Sequence, residues 1–121
     1  MSRRMERVNA TLRRELGVLI NESLADPRIA TMTSVLDVDT SPDLATATVS
    51  VSVMGTDDER KKTLAALESA AGYLRRSVED RIRMRHVPRL IFKLDARIQR
   101  TAEMLAYMDE VERQDRKRRG E

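Results

Sequence analysis

Residues 45–53 alternate strictly between small apolar and hydroxyl side chains, and this pattern restricts the fold more than any other feature of the chain. The apolar positions are Ala45, Ala47, Val49, Val51 and Val53, and the hydroxyl positions are Thr46, Thr48, Ser50 and Ser52. Successive side chains of a strand point to opposite faces of a sheet, so the two sets lie on opposite faces. Because one whole face is polar, the strand belongs to a sheet that is covered on one side only.

Two further strands are predicted, one before and one after this one. The first carries Val35, Asp37 and Asp39 on one face, which the two aspartates mark as solvated. The Ser-Pro-Asp turn at residues 41–43 separates it from the next strand and predicts an antiparallel hairpin. The third strand is predicted over residues 90–94, where apolar side chains again alternate.

A helix is predicted over residues 4–24, before the first strand. Its apolar side chains fall in one stripe, comprising Met5, Val8, Leu12, Leu16, Leu19 and Ile20. Pro27 and the residue before it favour a break in the helix shortly afterwards.

Two more helices are predicted between the second and third strands. Thr56 or Asp57 is expected to cap the first of them. The pattern falters at Gly72, where a glycine in a helix interior costs about 1 kcal/mol, so we predict a kink or a close backbone approach there. The second then runs from about Tyr73 to Arg85.

The predicted order is therefore α-β-β-α-kink-α-β, and a three-stranded sheet with helices on one face makes a two-layer α+β sandwich. At 121 residues the chain has room for one domain, which we place at residues 1–112. Residues 97–112 are predicted to form a weakly amphipathic helix. Residues 113–121 are predicted to be a charged, disordered tail.

The composition excludes several classes of protein. The chain has no cysteine, which excludes disulfides and thiolate metal sites and is typical of the cytoplasm. The sequence shows no apolar run long enough to span a membrane and no signal sequence, so we expect a cytoplasmic protein without a membrane partner. Aromatic residues make up only 2% of the chain, which argues against binding single strands by ring stacking.

Charge is distributed in blocks along the chain. Residues 1–14 carry a net charge of +4, residues 15–69 carry −6, and residues 70–90 carry +4. Two basic blocks separated by an acidic one suggest a directional surface for a polyanion.

The second basic block contains six arginines and no lysine. The planar guanidinium group binds phosphate in a bidentate manner and is weakly hydrated, which favours an interface with nucleic acid. Arg76 and Arg83 are expected to point outward, because Leu74, Val78 and Ile82 form the core stripe. Pairs of Glu79 with Arg75 or Arg83 and of Asp80 with Arg76 could occupy two or three of the arginines but not all six. Nucleic-acid contact is therefore favoured over a solvated helix face.

Catalytic chemistry has little support in the sequence. The single histidine, His86, has no visible partner and is interpreted as an ordinary residue at a junction. Asp37, Asp39 and Asp43 could form a divalent-metal cluster, but a solvated strand face is the favoured interpretation. The chain lacks a phosphate-binding P-loop sequence. We therefore predict a protein that is not an enzyme and has no cofactor.

Six short segments carry a resemblance to a known family. They are Arg7-Val8-Asn9, Asp26-Pro27-Arg28, Ser41-Pro42-Asp43-Leu44-Ala45, Val51-Ser52-Val53-Met54-Gly55, Ala70-Ala71-Gly72-Tyr73-Leu74-Arg75-Arg76 and Arg83-Met84-Arg85-His86-Val87-Pro88-Arg89-Leu90. Each is weak alone, but they occur in order and at compatible spacing over about residues 5–100. On these segments the chain resembles the bacterial ribosome-binding factor A family.

The resemblance implies a type II KH-like fold in which an Ala-x-Gly kink replaces the GXXG loop of ordinary KH modules. Ala70, Ala71 and Gly72 match that kink, and no two glycines of the chain lie three residues apart. The resemblance also implies a non-catalytic factor that binds the free small ribosomal subunit during late maturation of its rRNA, near the helix formed by the rRNA 5′ end. Family members are associated with growth in the cold.

We therefore predict an rRNA-binding assembly factor that is monomeric when free and has no small-molecule substrate. The residues predicted to contact rRNA phosphates are Arg7, Arg28, Arg75, Arg76, Arg81, Arg83, Arg85 and Arg89. Binding should depend steeply on salt and should select RNA by shape. Two non-enzymatic alternatives remain open: a generic KH-like RNA-binding regulator, and a protein-interaction domain that uses the acidic residues 15–69.

Overall fold

The computed structural model describes residues 3–22, 24, 26–29 and 33–120, and the side chains of all of these except 98–102. The elements in chain order are α1 (Arg3–Glu22), β1 (Thr33–Thr40), β2 (Thr46–Val53), α2 (Asp57–Arg81), β3 (Arg89–Leu94) and α3 (Arg97–Arg118). The predicted α+β architecture is confirmed. No helix within the described residues is both long and apolar enough to cross a membrane.

The three strands form one mixed sheet in the order β1-β2-β3. β1 pairs antiparallel with β2, as the predicted hairpin requires, and β3 pairs parallel with β2. The apolar face of β2 is buried, with Ala47, Val49 and Val51 fully inaccessible. Of the four hydroxyl residues on the other face, three are half-buried and Ser52 is buried. α1 and α2 cover the apolar face, as the alternation of side chains in β2 predicts.

The core forms between the covered face of the sheet and the apolar stripes of α1 and α2. The predicted α1 stripe is confirmed, because Leu12, Leu16, Leu19 and Ile20 are all buried. α1 ends at Glu22 and does not include Leu24, while residue 23 lies outside the described residues. α2 contributes further buried side chains, the largest being Leu67, Leu74 and Val78.

A β-bulge changes the predicted faces of β1. Val35 pairs with Val51 and Asp37 pairs with Ser50, so Leu36 is the extra residue. Val35 therefore packs against the core, whereas Asp37 and Asp39 are directed away from it. The prediction that Val35 shares a face with the aspartates was wrong, because strict alternation holds only where no residue is inserted into the ladder.

The hairpin turn is held by its own polar side chains. Ser41 Oγ donates to Asp43 Oδ1 at 2.7 Å, and the same carboxylate oxygen accepts from the Ala45 N–H at 3.1 Å. The hydrogen bond from Ser41 and, to a smaller extent, the one from the Ala45 N–H lower the pKa of Asp43 below its ordinary value. Leu44 has a φ of 61°, a left-handed conformation that costs a residue with a side chain about 1–2 kcal/mol.

α2 is a single helix of 25 residues, whereas two helices were predicted in this region. Thr56, one of the two residues predicted to cap this helix, forms a capping box with Glu59 at the start of α2. Ala70, Ala71 and Gly72 all lie within the unbroken helix, so the proposed kink does not separate two elements. A bend of the helix axis at these residues stays a prediction. A Cβ at Gly72 would meet only the Arg76 side chain, at 3.4 Å, so no close backbone approach explains the glycine.

α3 continues through Arg118, although residues 113–121 were predicted to be disordered. The reason is that opposite charges in this segment recur at helical spacing. Arg113 pairs with Glu110, and Arg116 pairs with Glu112 at 2.7 Å. Residue 121 lies outside the described residues, and the domain boundary at residue 112 stays a prediction.

Candidate nucleic-acid interface

Three segments lie together at one end of the domain: the N-terminal half of α1, the β1–β2 turn and the segment between α2 and β3. Asn9 Oδ1 accepts a hydrogen bond from the Thr40 N–H at 3.0 Å, which fixes α1 beside the end of β1. The Arg89 N–H donates to the Ala45 carbonyl at 3.0 Å, which fixes the start of β3 beside the turn. We call this the hairpin end; the start of α2 and the start of β1 lie at the opposite end.

An open groove of about 460 Å³ lies at the hairpin end, between α1 and the residues that follow α2. We call it the arginine groove; it is lined by Arg3, Arg4, Arg7, Val8, Thr11, Ile82, Arg83 and Met84. No acidic residue lines it, and among the described residues none forms an ion pair with its four arginines. Its guanidinium groups are therefore free to bind phosphate.

The backbone after α2 explains why the arginines line a groove with an apolar floor. Ile82 ends the helix in an extended conformation, with φ −121° and ψ 141°. Side chains then alternate, so Ile82 and Met84 turn toward the core with Val8, while Arg83 and Arg85 are directed outward. Val87 and Pro88 are buried further along, and His86 and Arg89 are exposed.

Two of the predicted arginines hold this segment in place. Arg75 Nε donates to the Val87 carbonyl at 2.8 Å and lies 3.8 Å from Glu79, one of the pairs expected from helical spacing. Arg81 forms an ion pair with the largely buried carboxylate of Glu15, which joins α2 to α1. A phosphate contact from Arg75 or Arg81 stays a prediction, since both also have structural partners.

Arg28 lies at the opposite end of the domain from the arginine groove. Its carbonyl accepts from Thr63 Oγ1 near the start of α2, at 3.1 Å, and its guanidinium forms an ion pair with Asp26 at 2.8 Å. The hydrogen bonds from Arg28 lower the pKa of Asp26 below its ordinary value. Arg28 therefore cannot share a phosphate site with Arg7 and Arg83, although it was predicted alongside them.

Arg76 lies in the C-terminal half of α2, away from the groove lining. The expected pair between Arg76 and Asp80 does not form in the part of the chain that the structure describes. The structure thus brings Arg7 and Arg83 into one groove and places Arg85 and Arg89 at the same end. Arg76 does not line the groove, and Arg28 lies at the opposite end.

Arg3 and Arg4 belong to the arginine groove but were absent from the predicted set. The signal for them was the net charge of +4 over residues 1–14, which shows a basic segment without showing where it folds. Only the packing of α1 against Ile82 and Met84 brings that segment to the second basic block.

The carboxylates considered for a metal site have different partners. Asp37 accepts from Arg97 at 2.6 Å, and Asp43 accepts from Ser41 within the turn. Across the described residues, no group of three His, Cys, Asp or Glu side chains is placed to hold a metal ion.

The element order α-β-β-α-β and the mixed sheet covered on one face by α1 and α2 place the chain in the class of KH-like domains, although it lacks the GXXG sequence of ordinary KH modules. The family model described as ribosome-binding factor A matches residues 4–108. The chain belongs to the ribosome-binding factor A family.

Individual relatives agree with this assignment. The chain is 37% identical to a ribosome-binding factor A of Caldanaerobacter subterraneus, over 95% of this chain and 94% of the relative. The crystal structure of ribosome-binding factor A from Thermus thermophilus matches with a TM-score of 0.66 and 31% identity, over 74% of this chain and 94% of that one. A Thermus thermophilus homology model fitted into a cryo-electron microscopy map of a 30S complex matches with a TM-score of 0.61 and 31% identity, over 72% of this chain and 90% of that one.

Proposed function

We propose that this protein is a non-catalytic ribosome assembly factor that binds rRNA of the free small ribosomal subunit through the arginine groove. The observation that carries the proposal is the convergence of Arg3, Arg4, Arg7 and Arg83 on one groove without ion-pair partners among the described residues. The family supports the choice of partner, since the Thermus thermophilus relative was fitted into a map of a 30S complex.

The groove binds phosphate rather than bases. Each guanidinium group offers a planar set of donors to phosphate oxygens, and the apolar floor of Val8, Ile82 and Met84 limits their hydration. Base stacking contributes little in the groove, because none of the three aromatic residues, Tyr73, Phe92 and Tyr107, lines it. Recognition therefore follows the shape of the RNA backbone, and affinity falls steeply as salt is raised.

The role in assembly follows from binding that is reversible and selective for shape. Bound protein holds an rRNA junction near the 5′-end helix in an immature arrangement during late maturation. Such a role matters most in the cold, when misfolded rRNA escapes slowly. The protein acts as a monomer in the cytoplasm, without a cofactor.

Sedimentation of cell extracts tests this proposal. The protein should co-migrate with free small subunits at low salt, be largely absent from joined ribosomes, and dissociate as salt is raised. Migration with joined ribosomes, or crosslinks spread over messenger RNAs instead of small-subunit rRNA, would contradict the proposal. The second result would favour a generic KH-like regulator.

A further inference from the structure

α3 carries a large apolar surface that its own domain does not cover. Five side chains on it are between 43% and 68% exposed: Met104, Leu105, Tyr107, Met108 and Val111. At helical spacing they share one face of about 160°. We call this face the α3 stripe. Contiguous exposed apolar patches of this kind mark interaction sites, and an isolated helix in water usually needs its apolar face packed to be stable.

The charges around the α3 stripe indicate the chemistry of its partner. Residues 103–112 contain four acidic side chains and no basic one. Glu103 and Glu110 lie along one edge of the stripe, Asp109 lies along the other, and Glu112 lies within the stripe near Leu105. The following residues, 113–119, reverse the sign and carry a net charge of +4.

This charge pattern excludes two kinds of occupant. RNA is disfavoured, because the stripe offers phosphates no cation of its own, and the adjacent Arg113 and Arg116 form ion pairs with Glu110 and Glu112. A second copy of the chain is disfavoured as well, because pairing two stripes along their apolar faces would superpose two segments that each carry a charge of −4. A basic protein surface that also presents apolar side chains complements both features of the stripe.

The α3 stripe is separate from the arginine groove. α3 starts after β3, at the end of the sheet opposite the hairpin end. Arg97 anchors this start, since its backbone N–H donates to Asp95 Oδ1 at 2.9 Å and its guanidinium reaches Asp37 at 2.6 Å. A helix of 22 residues extends about 33 Å from that anchor. The two surfaces can therefore be altered independently.

We propose that the α3 stripe docks on a basic protein component of the small ribosomal subunit, while the arginine groove binds rRNA. The inference rests on the proposed function, because it takes its partner from the same particle. Met104, Met108 and Val111 insert among apolar side chains of that protein, and the segment 103–112, with its net charge of −4, faces the protein's Lys and Arg residues.

Site-specific photocrosslinking on purified small subunits tests this inference. The photoreactive residue p-benzoylphenylalanine replaces Tyr107 in the stripe or, as a control, Ala106 on the opposite side of α3. The probe at position 107 should crosslink to a basic ribosomal protein, and the probe at 106 should do so much less. In the protein probed at 107, Met108→Asp should lower the crosslink about tenfold, whereas Ala106→Asp should leave it within about twofold.

Sedimentation of the same samples separates the two proposals. Crosslinks from position 107 to rRNA or to a second copy of the chain, or no crosslink although the protein co-sediments, would overturn the docking surface and leave the proposed function standing. A protein that does not co-sediment with small subunits at all would overturn both.

Discussion

Replacing Arg7 and Arg83 together with glutamine is expected to weaken binding to purified small subunits by about 10- to 100-fold. Both side chains line the arginine groove, one from α1 and one from the segment after α2, and neither has an ion-pair partner among the described residues. Each phosphate contact that is lost should also flatten the dependence of log K on log salt by about 0.7–0.9. Titration at several salt concentrations measures both effects.

The matched control is the pair Arg60→Gln and Lys62→Gln, which removes the same charge from the other end of the domain. Arg60 pairs with Asp57 at 3.2 Å and Lys62 pairs with Asp58 at 2.9 Å, both in the first turns of α2. This variant should bind within about twofold of the original protein, since neither side chain lines the groove, and it should stay folded, since exposed ion pairs contribute little to stability. Equal weakening by the two variants would show that net charge matters and the groove does not.

Replacing Leu74 with alanine is expected to lower the free energy of unfolding by about 2–5 kcal/mol. The side chain is fully buried and belongs to the core between α2 and the sheet, so its removal leaves a cavity. Urea denaturation followed by circular dichroism measures the change. The result bears on the site as well, because α2 supports the segment that forms one side of the groove.

Arg76→Ala, two residues further along α2, is the control for this experiment. Arg76 lies outside the core cluster and has no ion-pair partner among the described residues, so its removal should change the unfolding free energy by less than about 0.5 kcal/mol. A cost similar to that of Leu74→Ala would mean that the arginine face of α2 is part of the packed core.

Local patterns were sufficient to predict most of the fold. The alternation in residues 45–53 predicted a sheet covered on one face, and the α1 stripe predicted which side chains are buried. The bulge at Leu36 could not be predicted, because it is defined by the pairing of β1 with β2 and not by β1 alone. The predicted division into two helices at Gly72 is absent, because the burial of Leu67 and Leu74 on either side outweighs the local cost of one glycine.

The candidate site was predicted less completely than the fold. A run of arginines between residues 75 and 89 indicates a polyanion, but the side chains that have partners inside the domain are set by distant contacts. Arg75 binds a carbonyl 12 residues away, and Arg81 binds a carboxylate 66 residues away. Arg28 was grouped with the others because the sequence does not show which end of the domain a loop occupies. For the same reason, the sequence did not show that Arg3 and Arg4 line the groove.

The hairpin end of the domain is expected to face rRNA on the small subunit. A cryo-electron microscopy map of this protein on the free small subunit tests it most directly, with local resolution sufficient to place α1 and the segment after α2. We expect rRNA phosphates within hydrogen-bonding distance of Arg3, Arg4, Arg7 and Arg83 in the arginine groove. A map in which this groove faces solvent, while the end that carries Arg28 and the start of α2 contacts the rRNA, would contradict it.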